Sequence, residues 1–260
     1  MSRPDAMAVA RSAICSSHGA RSLGMHTLSL DAIECPGAGN GSQKAPEFGR
    51  WVCYVPTMVA SLSGPAQIFV IRHGEKPGFE AGSGGSLGAV GVQEDGAANP
   101  HSLTARGWQR AGALAVLLGP SGRLSASQPT KLFAPDYGTQ NPDHRTVETL
   151  DPLAQLLDLP IATPCAHDGG HDLVHHHVLT NTDAVVLVCW DHQNIPDILA
   201  ALTTAANVTP VPTLPLGGWP DQRYDVILAF SRQSGPSLSY RFDEIPQLLL
   251  SGDARDPLTS

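Results

Sequence analysis

Residues 68–76 read IFVIRHGEK, and this stretch decides how the rest of the chain is interpreted. Four apolar residues, typical of a buried β-strand, run directly into Arg72 and His73, with Gly74 next. Arginine and histidine lose hydration when they are buried, so each needs a partner to compensate. We therefore expect a bound anion, together with partners from the protein itself, at the end of this strand.

Strand-like and helix-like segments alternate after residue 66. Short apolar runs predict the strands, and apolar residues at helical spacing predict the helices. Strands are predicted at 67–71, 130–137, 182–190, 224–230 and 237–242, and helices at 103–119, 144–159 and 194–205. Pro152 predicts a kink or a restart in the second helix. The order predicts an α/β fold with a mainly parallel sheet, and the last two strands form a hairpin at an antiparallel edge.

Composition excludes several classes of protein. The formal net charge is −8, from 24 acidic and 16 basic residues, so the chain lacks the basic face of a nucleic-acid binder. No run of about 18 apolar residues occurs, which argues against a membrane span. Five scattered cysteines argue against a disulfide framework and favour a reducing cytoplasm: Cys15, Cys35, Cys53, Cys165 and Cys189.

The chain is predicted to divide near residue 65. Residues 1–65 are rich in Ser, Gly, Ala and Pro and are expected to form a poorly ordered extension, with the domain spanning 66–260. Met58 is a second possible start of the native protein. The glycine-rich stretch 78–100 is expected to be a flap or an insertion, or simply disordered.

Histidines follow two of the predicted strands. Arg72 and His73 end the first, and His192 follows the strand at 182–190. Arg145 opens the helix after the strand at 130–137. Ligands of α/β sheets bind beyond the carboxyl ends of the strands, so we expect these side chains to meet at one edge.

This set of side chains suits phosphoryl transfer. Guanidinium groups bind phosphate oxygens bidentately, and a neutral imidazole is a nucleophile toward phosphorus. A second imidazole can donate hydrogen bonds to the oxygens of the transferred group, so that catalysis is mostly placement and charge stabilisation. Gly74 is expected to let a phosphate approach the backbone.

Four segments resemble motifs of the histidine phosphatase superfamily, in the expected order across 67–202. They read VIRHGEKP, LTARGWQRAGALAVLL, HRTVETLDPLAQLLDLPI and VVLVCWDHQNIPDILAAL. The resemblance implies a three-layer, phosphoglycerate mutase-like sandwich. It implies a phosphatase that hydrolyses a phosphate monoester without a metal or an organic cofactor. The substrate would be a phosphorylated small molecule or a phosphoprotein.

The resemblance also implies roles for residues. His73 would be the phosphorylated nucleophile, and Arg72, Arg145 and His192 would bind the phosphate. The acid that protonates the leaving oxygen would be Asp172 or Asp168, of which Asp172 ranks first.

Two other functions stay open. Glu75-Lys76-Pro77 follows the first histidine where mutase-type members commonly have a different pattern, which favours a hydrolase over an isomerase of the phosphoglycerate mutase type. A non-catalytic phospho-ligand binder or scaffold of the same fold is the main alternative, because Asp191 stands where many members have glycine.

Three polar patterns receive simpler interpretations. Glu75 and Lys76 are expected to pair at the rim of the pocket. His144 and Glu148 have a spacing used by metal ligands, but a solvent-facing pair is the preferred interpretation. Residues 167–177, HDGGHDLVHHH, are interpreted as a loose polar loop rather than a metal site.

Overall fold

Strand β1 (Gln67–Arg72) is the central strand of a mixed sheet in the computed structural model, and its residues 68–71 are fully buried. The structure describes residues 64–78, 89–138 and 143–258, which belong to one compact unit, Pro56–Ser260. The predicted extension therefore lies outside the described residues, apart from its last two positions. Residues 79–88 of the glycine-rich stretch lie outside them as well.

Seven strands of the described chain form the sheet, in the order β3-β2-β4-β1-β6-β7-β5. All pairs are parallel except the two that β6 makes, with β1 and with β7. The remaining strands are β2 (Lys131–Phe133), β3 (Ile161–Ala162), β4 (Val185–Trp190), β5 (Asn207–Thr209), β6 (Val226–Arg232) and β7 (Ser239–Pro246). The predicted α/β class with a mainly parallel sheet is confirmed.

Helices cover both faces of this sheet. Helices α1 (Ala105–Leu118) and α2 (Arg145–Leu157) pack with Phe69 and Ile71 of β1 in one apolar cluster. Helix α4 (Ile195–Ala205) packs with Ile68 and Val70 in a second cluster on the other face. Because successive residues of β1 alternate between two helix layers, the predicted three-layer arrangement is confirmed.

The predicted hairpin forms the antiparallel part of the sheet, and β5 completes the edge beyond it. Strands β3 and β5 are not predicted from the sequence, since two and three residues are too short for an apolar pattern. Helix α2 contains Pro152 and continues through it to Leu157 without the predicted restart.

Residues 170–178 are helical, which corrects the expectation of a loose loop. A short helix, α3 (Gly170–Asp172), continues as a π-helical turn over Leu173–Val178. Leu173, Val174 and Val178 are buried in the α4-side cluster. Histidines dominate this segment in the sequence, but the three apolar residues decide its structure because they pack against the core.

Candidate active site

The two histidine-bearing strands end side by side. Strands β1 and β4 are parallel neighbours in a register that pairs Arg72 with Trp190, and the backbone N–H of His73 donates to the Trp190 carbonyl at 3.2 Å. His73 and His192 follow these strands, and the centroids of their rings are 6.4 Å apart in an edge-on arrangement. The predicted meeting of these histidines is thus seen in the structure.

His73 is held in one tautomer by its own turn. Its Nδ1 lies 2.7 Å from the carbonyl oxygen of Gly74. A carbonyl oxygen only accepts, so Nδ1 carries the proton and Nε2 carries a lone pair. Burial, followed by the positive charge of Arg72, lowers the pKa of His73 well below its usual value. The imidazole is therefore neutral at neutral pH, with Nε2 the basic atom.

Gly74 lies against helix α1. A Cβ atom on Gly74 would stand 3.0 Å from the Gly107 carbonyl oxygen, and one on Gly107 would stand 2.6 Å from the Glu75 carbonyl oxygen. Glycine at both positions therefore lets α1 cross the turn closely. The sequence predicts that Gly74 lets a phosphate approach the backbone, and the structure shows that it lets helix α1 approach.

Arg145 is brought to the same place by helix α2. The Thr149 hydroxyl, one turn after Arg145, donates to the Arg145 carbonyl at 2.6 Å and accepts from the Gly74 N–H at 2.8 Å. This hydroxyl ties the start of α2 to the turn that carries His73. The guanidinium of Arg145 forms a two-bond ion pair with Asp143 through Nε and Nη2.

A cavity of about 230 Å³ lies between these groups. Its wall contains three of the predicted residues, His73, Arg145 and His192. It also contains residues for which the sequence predicts no role in the site: Tyr137, Asp143, His167, Asp191 and Gln193. Lys76, which the sequence places at the rim of the pocket, lines the cavity as well.

Two further features of the wall concern Lys76 and Tyr137. Burial and the nearby Arg72 and Arg145 lower the pKa of Lys76. Burial raises the pKa of Tyr137, whose ring stacks on His167 with the centroids 5.7 Å apart. The wall thus offers a cation and a neutral phenol, both of which can donate hydrogen bonds to an anion.

Arg72 is buried beside this cavity rather than in its wall. Its Nη1 donates to the carbonyls of Pro220, Asp221 and Arg223 at 3.1, 2.8 and 3.2 Å. Its guanidinium carbon lies 4.0 Å from the centroid of the Tyr224 ring, and Nη2 is 3.3 Å from the Tyr224 hydroxyl. Arg72, predicted to bind phosphate, thus organises residues 220–224.

His192 pairs with a residue of that segment. Its Nε2 lies 3.2 Å from Oδ1 of Asp221, while its Nδ1 is buried and has no hydrogen-bond partner among the residues that the structure describes. Burial, with Arg72 and Lys76, lowers the pKa of His192 to about 4, and Asp221 acts in the opposite direction.

Asp191 holds the turn before helix α4. Its Oδ1 accepts from the backbone N–H groups of Gln193 and Asn194 at 3.2 Å each and from the Asn194 side chain at 2.9 Å. This role explains why an aspartate stands at a position where glycine is common in the related motif.

The predicted general acid is not brought to the cavity. The side chain of Asp172 is 70% exposed and lies 3.5 Å from His171. Asp168 is exposed too, and neither residue is part of the described cavity wall. The structure therefore does not support Asp172 or Asp168 as the proton donor, since neither carboxyl group reaches the site.

Glu75 is buried, which corrects its expected place in a rim pair with Lys76. It accepts from Nη2 of Arg110 at 2.8 Å and from Nε of Arg106 at 3.2 Å. Arg110 also bonds Asp253 at 2.7 Å and Gln247 at 3.0 Å. We call Glu75, Arg110, Gln247 and Asp253 the Arg110 cluster.

Glu148 is buried too. The expectation that it faces solvent together with His144 is therefore wrong. Its Oε2 accepts from the backbone N–H of Leu103 at 2.8 Å. Over the described ranges, no cluster of three or more His, Cys, Asp or Glu side chains could hold a metal ion. Within the same ranges, no helix is long and apolar enough to cross a bilayer.

The fold and the site together define an α/β protein whose histidines and arginine surround a small polar cavity. No protein-family model matches the chain, and neither does a curated protein. Solved structures do match, and three of them belong to the histidine phosphatase superfamily that the sequence motifs resemble.

The first of these is a mycobacterial glucosyl-3-phosphoglycerate phosphatase with inorganic phosphate, with 14% identity, a TM-score of 0.38, and coverage of 68% of this chain and 95% of that one. The second is an Agrobacterium tumefaciens protein described as the phosphohistidine phosphatase SixA. It has 11% identity and a TM-score of 0.39, and the match covers 70% of this chain and 99% of that one. The third is an Entamoeba histolytica phosphoserine phosphatase in complex with 3-phosphoglyceric acid. It has 14% identity and a TM-score of 0.40, and the match covers 70% of this chain and 99% of that one. Similarity at this level does not establish an activity for this chain.

Proposed function

We propose that this protein is a phosphatase that hydrolyses a phosphate monoester through a phosphohistidine on His73. In the first step, Nε2 of His73 attacks phosphorus, the bond from phosphorus to the ester oxygen breaks, and that oxygen takes a proton from solvent to leave as an alcohol. In the second step, water attacks phosphorus, the P–N bond breaks, Nε2 regains its lone pair, and the proton that the water loses returns to solvent as inorganic phosphate leaves.

The proposal rests on the tautomer and the neutral charge of the His73 ring. Its Nδ1–H is committed to the Gly74 carbonyl at 2.7 Å, which leaves Nε2 as the nucleophilic atom. Burial and Arg72 keep the ring neutral, so the lone pair is available at neutral pH. A buried histidine kept only for packing would not need a polar cavity beside it, and this one lines a cavity of about 230 Å³.

The surroundings of His73 suit a phosphoryl group. Lys76 and Arg145 lie in the same cavity wall, and each can donate to phosphate oxygens as negative charge moves toward the leaving group. His192 and Gln193 also line an adjoining groove of about 620 Å³, with Leu216 and Pro220 farther along it. We assign the leaving alcohol to this groove, because it shares His192 and Gln193 with the cavity.

Turnover of a generic aryl phosphate tests the proposal. Wild-type protein should release phosphate, and His73→Ala should abolish release while the matched change His176→Ala, at an exposed histidine, leaves it unchanged. Quenched turnover should also trap an acid-labile, base-stable phosphate on His73. Turnover that survives His73→Ala would refute the mechanism.

A non-catalytic phospho-ligand binder is the second candidate. The exposed position of Asp172, far from the role predicted for it, favours this candidate because it leaves the leaving oxygen without the expected acid. In that case inorganic phosphate would bind to the wild-type protein, and no phosphate monoester would be turned over.

A further inference from the structure

Asp221 joins the two strand ends from a third part of the chain. Its backbone carbonyl accepts from Nη1 of Arg72 at 2.8 Å, and its side-chain Oδ1 lies 3.2 Å from Nε2 of His192. The residue therefore contacts the side chains at the ends of both β1 and β4. Sequence analysis did not select it, since nothing in residues 215–224 resembles a motif.

The contact with Asp221 determines the tautomer of His192. A carboxylate oxygen accepts, so Nε2 of His192 carries a proton. The other ring nitrogen, Nδ1, is buried and has no hydrogen-bond partner in the described part of the chain. A buried polar atom without a partner costs free energy, which a bound ligand at this position would recover.

We propose that Asp221 is a positioning residue for His192. It holds the Nε2–H so that Nδ1 takes up a proton when a phosphate group enters the cavity and then donates to a phosphate oxygen. The inference rests on the proposed phosphate site. It requires no bond-making step beyond one proton taken from solvent when the anion binds.

The charges around His192 explain why proton uptake should accompany binding. Arg72 and Lys76 oppose a positive imidazole and Asp221 favours it, and burial leaves the ring neutral in the unliganded cavity. A phosphate dianion adds negative charge and therefore favours the protonated ring. The remaining titratable groups of the wall are His73, Tyr137, Asp143, Arg145, His167 and Asp191.

The geometry also gives Arg72 a function. Because Arg72 bonds the carbonyls of Pro220, Asp221 and Arg223, it fixes the backbone from which the Asp221 side chain reaches His192. The side chain of Asp221 is itself 59% exposed, so its position depends on this backbone anchor more than on packing. Arg72 thereby acts on the site through Asp221.

Calorimetric titration with inorganic phosphate tests the proposal without relying on turnover. Measuring the binding heat near neutral pH in two buffers of different ionisation enthalpy gives the number of protons taken up. When phosphate binds, each wild-type molecule should take up close to one proton, counted after the change in protonation of phosphate itself has been subtracted. Asp221→Asn keeps a hydrogen-bond acceptor and loses the negative charge. This variant should take up fewer protons and should bind phosphate at least several-fold more weakly.

Three variants complete the design. Asp221→Glu should restore proton uptake, and Asp243→Asn, at a half-buried aspartate of β7 paired with Arg241, should behave as wild type. His192→Gln should abolish the additional uptake. Equal uptake and equal affinity in the wild type and in Asp221→Asn would overturn the proposal, as would a wild type that does not bind phosphate. Uptake without any turnover would uphold the role of Asp221 and refute the phosphatase.

Discussion

Two buried arginines near the end of β1 have opposite surroundings. Arg110 is bound by the carboxylates of Glu75 and Asp253 and by the Gln247 amide, and although burial acts to lower its pKa, the two carboxylates raise it above the usual value. Among the described residues, the hydrogen-bond acceptors of Arg72 are neutral, three carbonyls and the Tyr224 hydroxyl, and burial lowers its pKa.

The difference separates a charge-compensated cluster from a region whose charge is not compensated. In the Arg110 cluster each negative group faces a positive one, so the charges are compensated without a ligand. Around Arg72, the side-chain nitrogens Nε of Arg72 and Nδ1 of His192 are buried without hydrogen-bond partners in the described structure. An anion in the cavity would supply the missing negative charge. The two regions should therefore respond differently to mutation and to phosphate.

Loss of the Arg110 cluster should cause the largest change in stability. Glu75→Gln removes the carboxylate that Arg106 and Arg110 share and leaves Arg110 with Asp253 as its remaining carboxylate partner, and we expect the free energy of unfolding to fall by about 3–5 kcal/mol. Chemical denaturation measures this loss. Glu94→Gln, at an exposed glutamate, is the matched control and should have little effect.

The same variant tests whether the cluster is purely structural. At a temperature where Glu75→Gln is folded, its affinity for inorganic phosphate should equal that of the wild type. A stable Glu75→Gln protein that had lost phosphate binding would contradict the division into two regions.

Arg145→Lys should affect function and leave stability largely unchanged. Lysine keeps the charge but cannot form the two-bond fork seen with Asp143 or present a fork to phosphate. We expect kcat for an aryl phosphate to fall on the order of 10²–10³-fold, the effect typical of removing one oriented donor. Steady-state kinetics measures it, and Arg241→Lys, at an exposed ion pair of β7, is the control. Unchanged kcat would remove Arg145 from the site.

Strands β1 and β4 and the meeting of His73 with His192 could be predicted because both depend on local patterns. Strands β1 and β4 are apolar runs, and parallel strands present their carboxyl ends at one edge of the sheet. The role of Arg72 could not be predicted, since its partners are 148 to 152 residues away in the chain. Local sequence contains no information on which backbone carbonyls such a side chain will meet.

The position of Asp172 could not be predicted for a related reason. The resemblance implies an acid some way past Arg145 in the chain, but Leu173 and Val174 bury the following turn in the core, and Asp172 lies at the surface. Asp221, which does reach His192, lies in a segment whose sequence resembles no catalytic motif. Apolar packing thus decided which carboxylate is near the site, and packing between distant segments cannot be seen in a local pattern.

The smallest of these effects should be on the pH dependence of the free energy of unfolding, and it tests the histidines of the cavity. The pKa of His192 is about 4 in the folded protein, and an unfolded histidine titrates near 6.5. Between these values the unfolded chain binds more protons, so this histidine makes the free energy of unfolding rise with pH. His73, whose pKa is also lowered, acts in the same direction.

Other groups also titrate as the protein unfolds, so the test is a difference between two proteins. Burial raises the pKa of Glu148 and opposes the histidine effect, while Arg110 and the backbone N–H groups of Leu249 and Leu250 lower the pKa of Asp253 and act with it. His192→Gln removes the contribution of His192 to this pH dependence. We expect the free energy of unfolding of the variant to change between pH 7 and pH 4 by roughly 1–3 kcal/mol less than that of the wild type. His176→Gln, at an exposed histidine, should match the wild type across the range. Parallel curves for the wild type and His192→Gln would show that His192 is not kept neutral by its surroundings, and the contrast with the Arg110 cluster would lose its electrostatic basis.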